Sequence, residues 1–155
     1  MLSPTDAGVR SFIERSMIVR LATLSAKRRP FITPLWFVRD RDGTLYITTG
    51  PETRAGKNIS QHPEVMLLFH GERAGRSDRV LRVRGTATCH RGLPSWRVLV
   101  RIALKYYVSP RGMRTELGNA GKWRLRTRYY GQVKGGFGHI RVVPDRAEFL
   151  QLPSG

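Results

Sequence analysis

Acidic residues are scarce in this chain of 155 residues. Eleven Asp and Glu stand against 28 Lys and Arg, a formal net charge of +17. Between Arg73 and Lys134 the only acids are Asp78 and Glu116. Carboxylates so few and scattered suggest no acid–base catalytic pair. Cysteine is scarcer still: with Cys89 alone, no disulfide framework can form within the chain, and a reducing, cytoplasmic setting is the default expectation. His62, His70, His90 and His139 are dispersed, and no Cys/His grouping has the spacing of a zinc site, so no metal ligands are assigned. Long apolar runs are missing. The opening MLSPTDAGVRSFIERS has no signal-peptide core, and LPSWRVLVRIALKYYV is broken by Arg97, Arg101 and Lys105, too short and too charged to span a bilayer. GxGxxG, a P-loop lysine and GxSxG are absent, and GGFG at 135–138 is only a turn signal. No catalytic side chain is therefore assigned. If the chain is an enzyme, a bound cofactor carries the chemistry.

What is present is one domain's worth of short, regularly spaced apolar segments, without internal repeat or low-complexity tract. Ser3-Pro4-Thr5-Asp6 opens a helix that ends near Ser16. MIVRLATL (17–24), PFITPLWFVR (30–39) and TLYITT (44–49) read as three strands, with a hairpin turn at Asp40–Gly43. A short helix over about 53–61, a strand at 65–69 and a long strand at 79–89 with a bulge signal at Gly85 follow. Leu93 to Tyr107 is an amphipathic helix, with Trp96, Leu99, Val100, Ala103 and Tyr106 on one face and Arg97, Arg101 and Lys105 striping a solvated one. Two closing strands, 138–143 and 147–150, flank a Pro144–Asp145 turn. About seven strands with few helices predict a small antiparallel barrel.

Three stretches can carry binding chemistry. In TTGPETRAGKN, Arg54 and Lys57 lie at i and i+3 on the first turn of a helix, beside the strand-end hydroxyls of Thr48 and Thr49. Free N–H groups and the positive end of the dipole suit that turn to a phosphate, although a solvated helix start has the same pattern. In Thr33-Pro34-Leu35-Trp36-Phe37-Val38, a strand can lay its backbone beside a flat ring, or Trp36 and Phe37 can simply be core. In KWRLRTRYY (122–130) basic residues alternate with aromatics, which suits single-stranded nucleic acid or an amphipathic edge segment. The positive excess favours an anionic partner, and arginine-rich usage also follows from genome composition alone.

The order of RLATLSAKRRPFITPLWFV, LYITTGPETRAGKNISQHPEVMLLF, VRGTA and GFGHIRVVPDRAEFLQ resembles the flavin-binding split-barrel family, the pyridoxamine phosphate oxidase-like group with its flavin- and deazaflavin-dependent oxidoreductases. The likeness covers about residues 12–90 and 136–151. It implies a mainly β, α+β domain: a six-stranded antiparallel split β-barrel spanning 1–155, with a helical insertion at about 92–135. It implies a homodimer with the cofactor, FMN or the deazaflavin coenzyme F-420, at the interface, transferring hydride to or from a small organic substrate. Haem-binding relatives on the same fold imply a cofactor module without turnover as an alternative, beside the basic nucleic-acid binder. By resemblance, Thr33 to Val38 line the ring, Thr48 and Thr49 approach the ribityl chain, Arg54 and Lys57 hold the phosphate, and Val80 and Phe137 reach the cofactor. Thr33 and Val38 stand where the oxidase proper carries Arg and Lys, Ala55 replaces its second phosphate cation, and its C-terminal substrate residues are missing. These departures argue against pyridoxamine phosphate oxidation itself.

Overall fold

The computed structural model describes residues 1–70, 79–108 and 138–151. Helix α1 (Ala7–Arg15) leads into strands β1 (Val19–Leu24), β2 (Pro30–Leu35), β3 (Phe37–Arg39) and β4 (Leu45–Ile47). Helix α2 (Arg54–Gln61), strands β5 (Glu64–His70) and β6 (Arg79–Arg91), helix α3 (Trp96–Ala103) with a π-helical turn at Leu104–Val108, and strand β7 (Gly138–Gln151) complete the order. The basic segment 122–130, Phe137 and most of the expected insertion lie outside the described residues.

The seven strands form one antiparallel sheet in the order β2-β1-β5-β6-β7-β4-β3. Its two edge strands, β2 and β3, are joined by the single residue Trp36. A sheet whose first and last strands meet at one residue has to curl upon itself, and this curl makes the split barrel. The expected strand 30–39 is thus two strands with a corner at Trp36, and the sheet has seven strands where the family resemblance implies six.

Alternation along the strands decides what the barrel encloses. Val19 and Leu21 of β1, Val65, Leu67 and Phe69 of β5, Leu81 and Val83 of β6, and Ile140 and Val142 of β7 are buried together. Val9, Phe12 and Ile13 of α1 and Ala55 and Ile59 of α2 join the same core. Buried polar side chains close the end of α1 and tie the middle of α2 to β1. Buried Ser16 donates its hydroxyl to Phe12 O at 2.9 Å, and buried Asn58 donates to Thr23 Oγ1 at 2.9 Å.

Two sequence expectations are corrected. Pro144–Asp145 is not a turn between strands: β7 runs unbroken through it, paired with β6 along its length. The register shifts between Arg84 and Gly85, whose partners are Arg146 and Pro144, so Asp145 is the extra residue of a bulge. A Cβ on Gly85 would fall 2.7 Å from Val143 O, so only glycine admits the bulged strand at that distance.

The second correction concerns α3, which buries the other face. Val98 and Tyr106 are buried against Met17 and Val38, with Ile102 packed beside them. Arg101 and Lys105 point the same way. Arg101 bridges Asp40 at 3.3 Å and donates to Arg39 O, and Lys105 Nζ donates to Phe37 O at 3.2 Å, lying 3.6 Å above the Phe37 ring. Long basic side chains bury their stems and bring their charge to an acceptor, so this face packs as well as an apolar one. Trp96, 73% exposed, with Leu99, Val100 and Ala103, turns to the outside instead.

Candidate functional site

The site is built around the first turn of α2. Thr53 caps the helix: its hydroxyl accepts from Gly56 N at 3.2 Å and donates to Gly50 O at 2.7 Å, while Thr49 donates to Thr53 at 3.2 Å. The Thr49–Thr53 loop is thereby fastened to the helix it precedes. Gly56 is required for that closeness, since a Cβ there would lie 2.5 Å from Gly50 O. Arg54 and Lys57 are exposed on this turn, which carries no acidic residue. The neighbouring carboxylate, Glu52, is engaged by Arg91 at 2.8 Å. Two cations and a positive helix end are thus presented together, and none of the ion pairs found among the described residues involves either cation.

Arg54 lies over the Phe31 ring, its guanidinium 5.0 Å from the centroid. Phe31, Thr33 and Leu35 share one half-buried face of β2, and Leu35 packs on the barrel core. At the corner, Trp36 O accepts from Thr48 N at 3.4 Å, and Thr48 leads back to Thr49 and the capped loop. A circuit results: Arg54 to Phe31, along β2 to Trp36, across to Thr48, and through Thr49 and Thr53 to Arg54. Of the residues singled out in sequence, Thr33, Leu35, Trp36, Thr48, Thr49 and Arg54 lie on it, with Lys57 one turn along the helix and Pro34 on the exposed side of β2.

Other expected residues lie elsewhere. The Phe37 and Val38 side chains are buried, Phe37 in the barrel core and Val38 under α3. The backbone of Phe37 is already occupied: its N–H donates to Tyr106 Oη at 3.0 Å, and its carbonyl accepts from Tyr106 and Lys105. Val80 is buried and pairs with His70 and Leu150, on the sheet face opposite to that of Thr33. Phe137 is outside the described residues. A cavity of about 640 Å³ between β1, β5 and the bulge includes none of Thr33, Thr48, Arg54 or Lys57 in its lining.

Three participants escaped the sequence reading. Thr53 is legible in hindsight as a threonine three residues before a helical N–H, the usual cap spacing. Phe31 carries no local mark of a guanidinium partner. Tyr106 stacks on Trp36 with centroids 4.5 Å apart and planes 7° apart, and it comes from 70 residues downstream. It holds the corner rigid from behind.

Comparison with known proteins agrees with this architecture. A family model described as pyridoxamine 5'-phosphate oxidase matches residues 5–151. An F420 reductase is 19% identical with a TM-score of 0.63, covering 93% of this chain and 98% of its own. An FMN-binding, pyridoxamine 5'-phosphate oxidase-related protein from Nostoc punctiforme is 18% identical with a TM-score of 0.61, covering 97% and 85%. The heme storage protein HutZ from Vibrio cholerae is 16% identical with a TM-score of 0.61, covering 94% and 93%. At these identities what is shared is the fold. No curated protein matches the sequence.

Proposed function

Because the chain belongs to the pyridoxamine 5'-phosphate oxidase family, we propose that the α2–β2 circuit binds a phosphorylated flavin-type cofactor, FMN or the deazaflavin coenzyme F-420, in a small oxidoreductase. The observation that carries this reading is the pairing of Arg54 and Lys57 on a carboxylate-free helix start with a rigid, ring-lined strand beside it. The donor set fits a phosphate: a guanidinium, an ammonium and the N–H groups at the head of α2. Arg54 is oriented by the Phe31 ring, which restricts the guanidinium before any anion arrives and so lowers the entropy lost on binding. Thr33 and the backbone at Pro34 and Leu35 border the place for a planar ring, and Thr48 offers a hydroxyl towards a sugar-like chain. When bound, such a ring supplies the hydride acceptor or donor, and no side-chain nucleophile is assigned. The protein's part is to bind, orient and keep the phosphate neutralised. We further propose a homodimer with the cofactor between subunits, a small organic substrate, and a cytoplasmic setting.

Titration with FMN and with F-420, followed by absorption and fluorescence, tests the reading and separates the two. Arg54→Ala removes a charge-assisted contact of about 1.5–3 kcal/mol and is expected to weaken binding roughly ten- to a hundredfold. Unchanged affinity in this variant overturns the phosphate assignment.

A further inference from the structure

His90 and His139 are 49 residues apart in sequence and face one another across the β6–β7 ladder. Their rings lie 5.2 Å apart, centroid to centroid, with planes 22° apart. No spacing motif reveals such a pair, because only the register of two long strands brings it together. His139 Nδ1 lies 3.1 Å from Gly92 O. A carbonyl can only accept, so Nδ1 carries the proton and Nε2 keeps its lone pair. This backbone-anchored tautomer is the one that metal-ligating histidines adopt. His90 is exposed, and its Nε2 is held by the Thr88 hydroxyl at 3.1 Å, a bond that a hydroxyl makes in either direction. His90 is therefore the arm free to swing.

We propose that His90 and His139 form a two-histidine site for a late first-row divalent metal ion, Ni²⁺, Cu²⁺ or Zn²⁺, with the remaining coordination positions open. A metal–nitrogen bond of about 2.1 Å plus the ring radius puts each centroid about 3.2 Å from the ion, so a tetrahedral angle at Zn²⁺ needs centroids about 5.2 Å apart and a right angle at Cu²⁺ or Ni²⁺ about 4.5 Å. The rings stand at the tetrahedral separation but are stacked, with lone pairs that do not converge, so chelation requires His90 to turn out of the stack about its side-chain bonds while the backbone stays in place. The choice of metal follows from the ligands. Among the described residues no group of three or more His, Cys, Asp or Glu could hold a metal ion, so the pair has no carboxylates to add for hard cations that need several oxygens. Imidazole suits the later transition ions, and in a chain of net charge +17 it is this covalent affinity, not charge, that retains the cation. Cys89, next to His90 on β6, faces the other way and packs on the core, so it is not a third ligand. The site borders the loop before α2: a Cβ on Gly138 would fall 2.6 Å from Gly50 Cα and 2.9 Å from His90 O.

Calorimetric titration of the full chain with NiCl₂ and ZnCl₂, and the Cu²⁺ EPR spectrum, test the proposal. One equivalent is expected to bind, with superhyperfine splitting from two nitrogens. His90→Ala and His139→Ala should each weaken binding at least about tenfold, since even loss of an outer partner of a ligating histidine costs that much. His62→Ala, His70→Ala and Cys89→Ser should leave it unchanged. His90 is exposed on the surface, so His90→Ala folds and remains informative should His139→Ala not. No binding, a one-nitrogen spectrum, or affinity indifferent to His90→Ala overturns the proposal.

Discussion

Replacing Tyr106 by Phe removes one oxygen from the corner behind the candidate site. Tyr106 is 1% exposed, and its hydroxyl lies 2.7 Å from Met17 O, 2.8 Å from Phe37 O and 3.0 Å from Phe37 N. Phe37 O keeps Lys105 as a donor, so the change strands two groups: the Phe37 N–H and the Met17 carbonyl. Each buried polar group left unpaired costs about 1–3 kcal/mol. The ring still stacks on Trp36, so no cavity adds to the loss. The expected destabilisation is therefore roughly 2–6 kcal/mol, which for a chain of this size lowers Tm by about 5–20 °C. Urea unfolding followed by tryptophan fluorescence measures it, with the m-value unchanged because the surface exposed on unfolding is the same. A loss below about 0.5 kcal/mol, the low end for an ordinary hydrogen bond, refutes the view that this hydroxyl binds the corner together.

Two further outcomes follow from the geometry. Gly56→Ala should destabilise the protein by about 1–3 kcal/mol, because the new Cβ meets backbone that has to move, and should weaken cofactor binding by displacing Gly50–Pro51; a gain of about 1 kcal/mol, the helix preference of alanine, refutes that steric account. His70 is held below the usual histidine range, first by burial and then by the Arg20 charge. The unfolded chain therefore takes up this proton first as pH falls, so stability is full above about pH 6.5 and declines as pH drops towards the folded pKa. His70→Gln should flatten the stability–pH curve in that window, and an unaltered slope counts against the assignment.

Much of the barrel is legible in the sequence because the strands alternate strictly. Val19, Leu21 and Thr23, then Val65, Leu67 and Phe69, mark their inward faces unaided. The basic turn that opens α2 is legible for a similar reason, since Arg54 and Lys57 are local to one helix start. Errors arose where a distant partner outweighed a local signal. Pro144–Asp145 has strong turn chemistry, yet the ladder to β6 absorbs it as a bulge because Gly85 stands opposite. Around α3 the apolar stripe looks like the buried one, but the edge-facing carbonyls of Phe37 and Arg39 at the ends of β3 recruit Lys105 and Arg101 instead. Val38 is apolar in a strand that promised a ring-binding face, and nothing in its neighbourhood announces that a helix from 60 residues downstream covers it.

The closure of the sheet also constrains the order in which this chain can fold. β3 and β4 form a local hairpin, but β4 is joined to the rest of the sheet by β7, with Leu45 opposite Val142 and Tyr46 opposite Arg141. Nearly one hundred residues separate these partners, and closing so long a loop is slow compared with pairing β1, β2 and β5. During synthesis the hairpin therefore waits, its inward Leu45 and Ile47 uncovered, until the last strand leaves the ribosome. A nascent chain stalled before Gly138 should be the species that chaperones and proteases recognise.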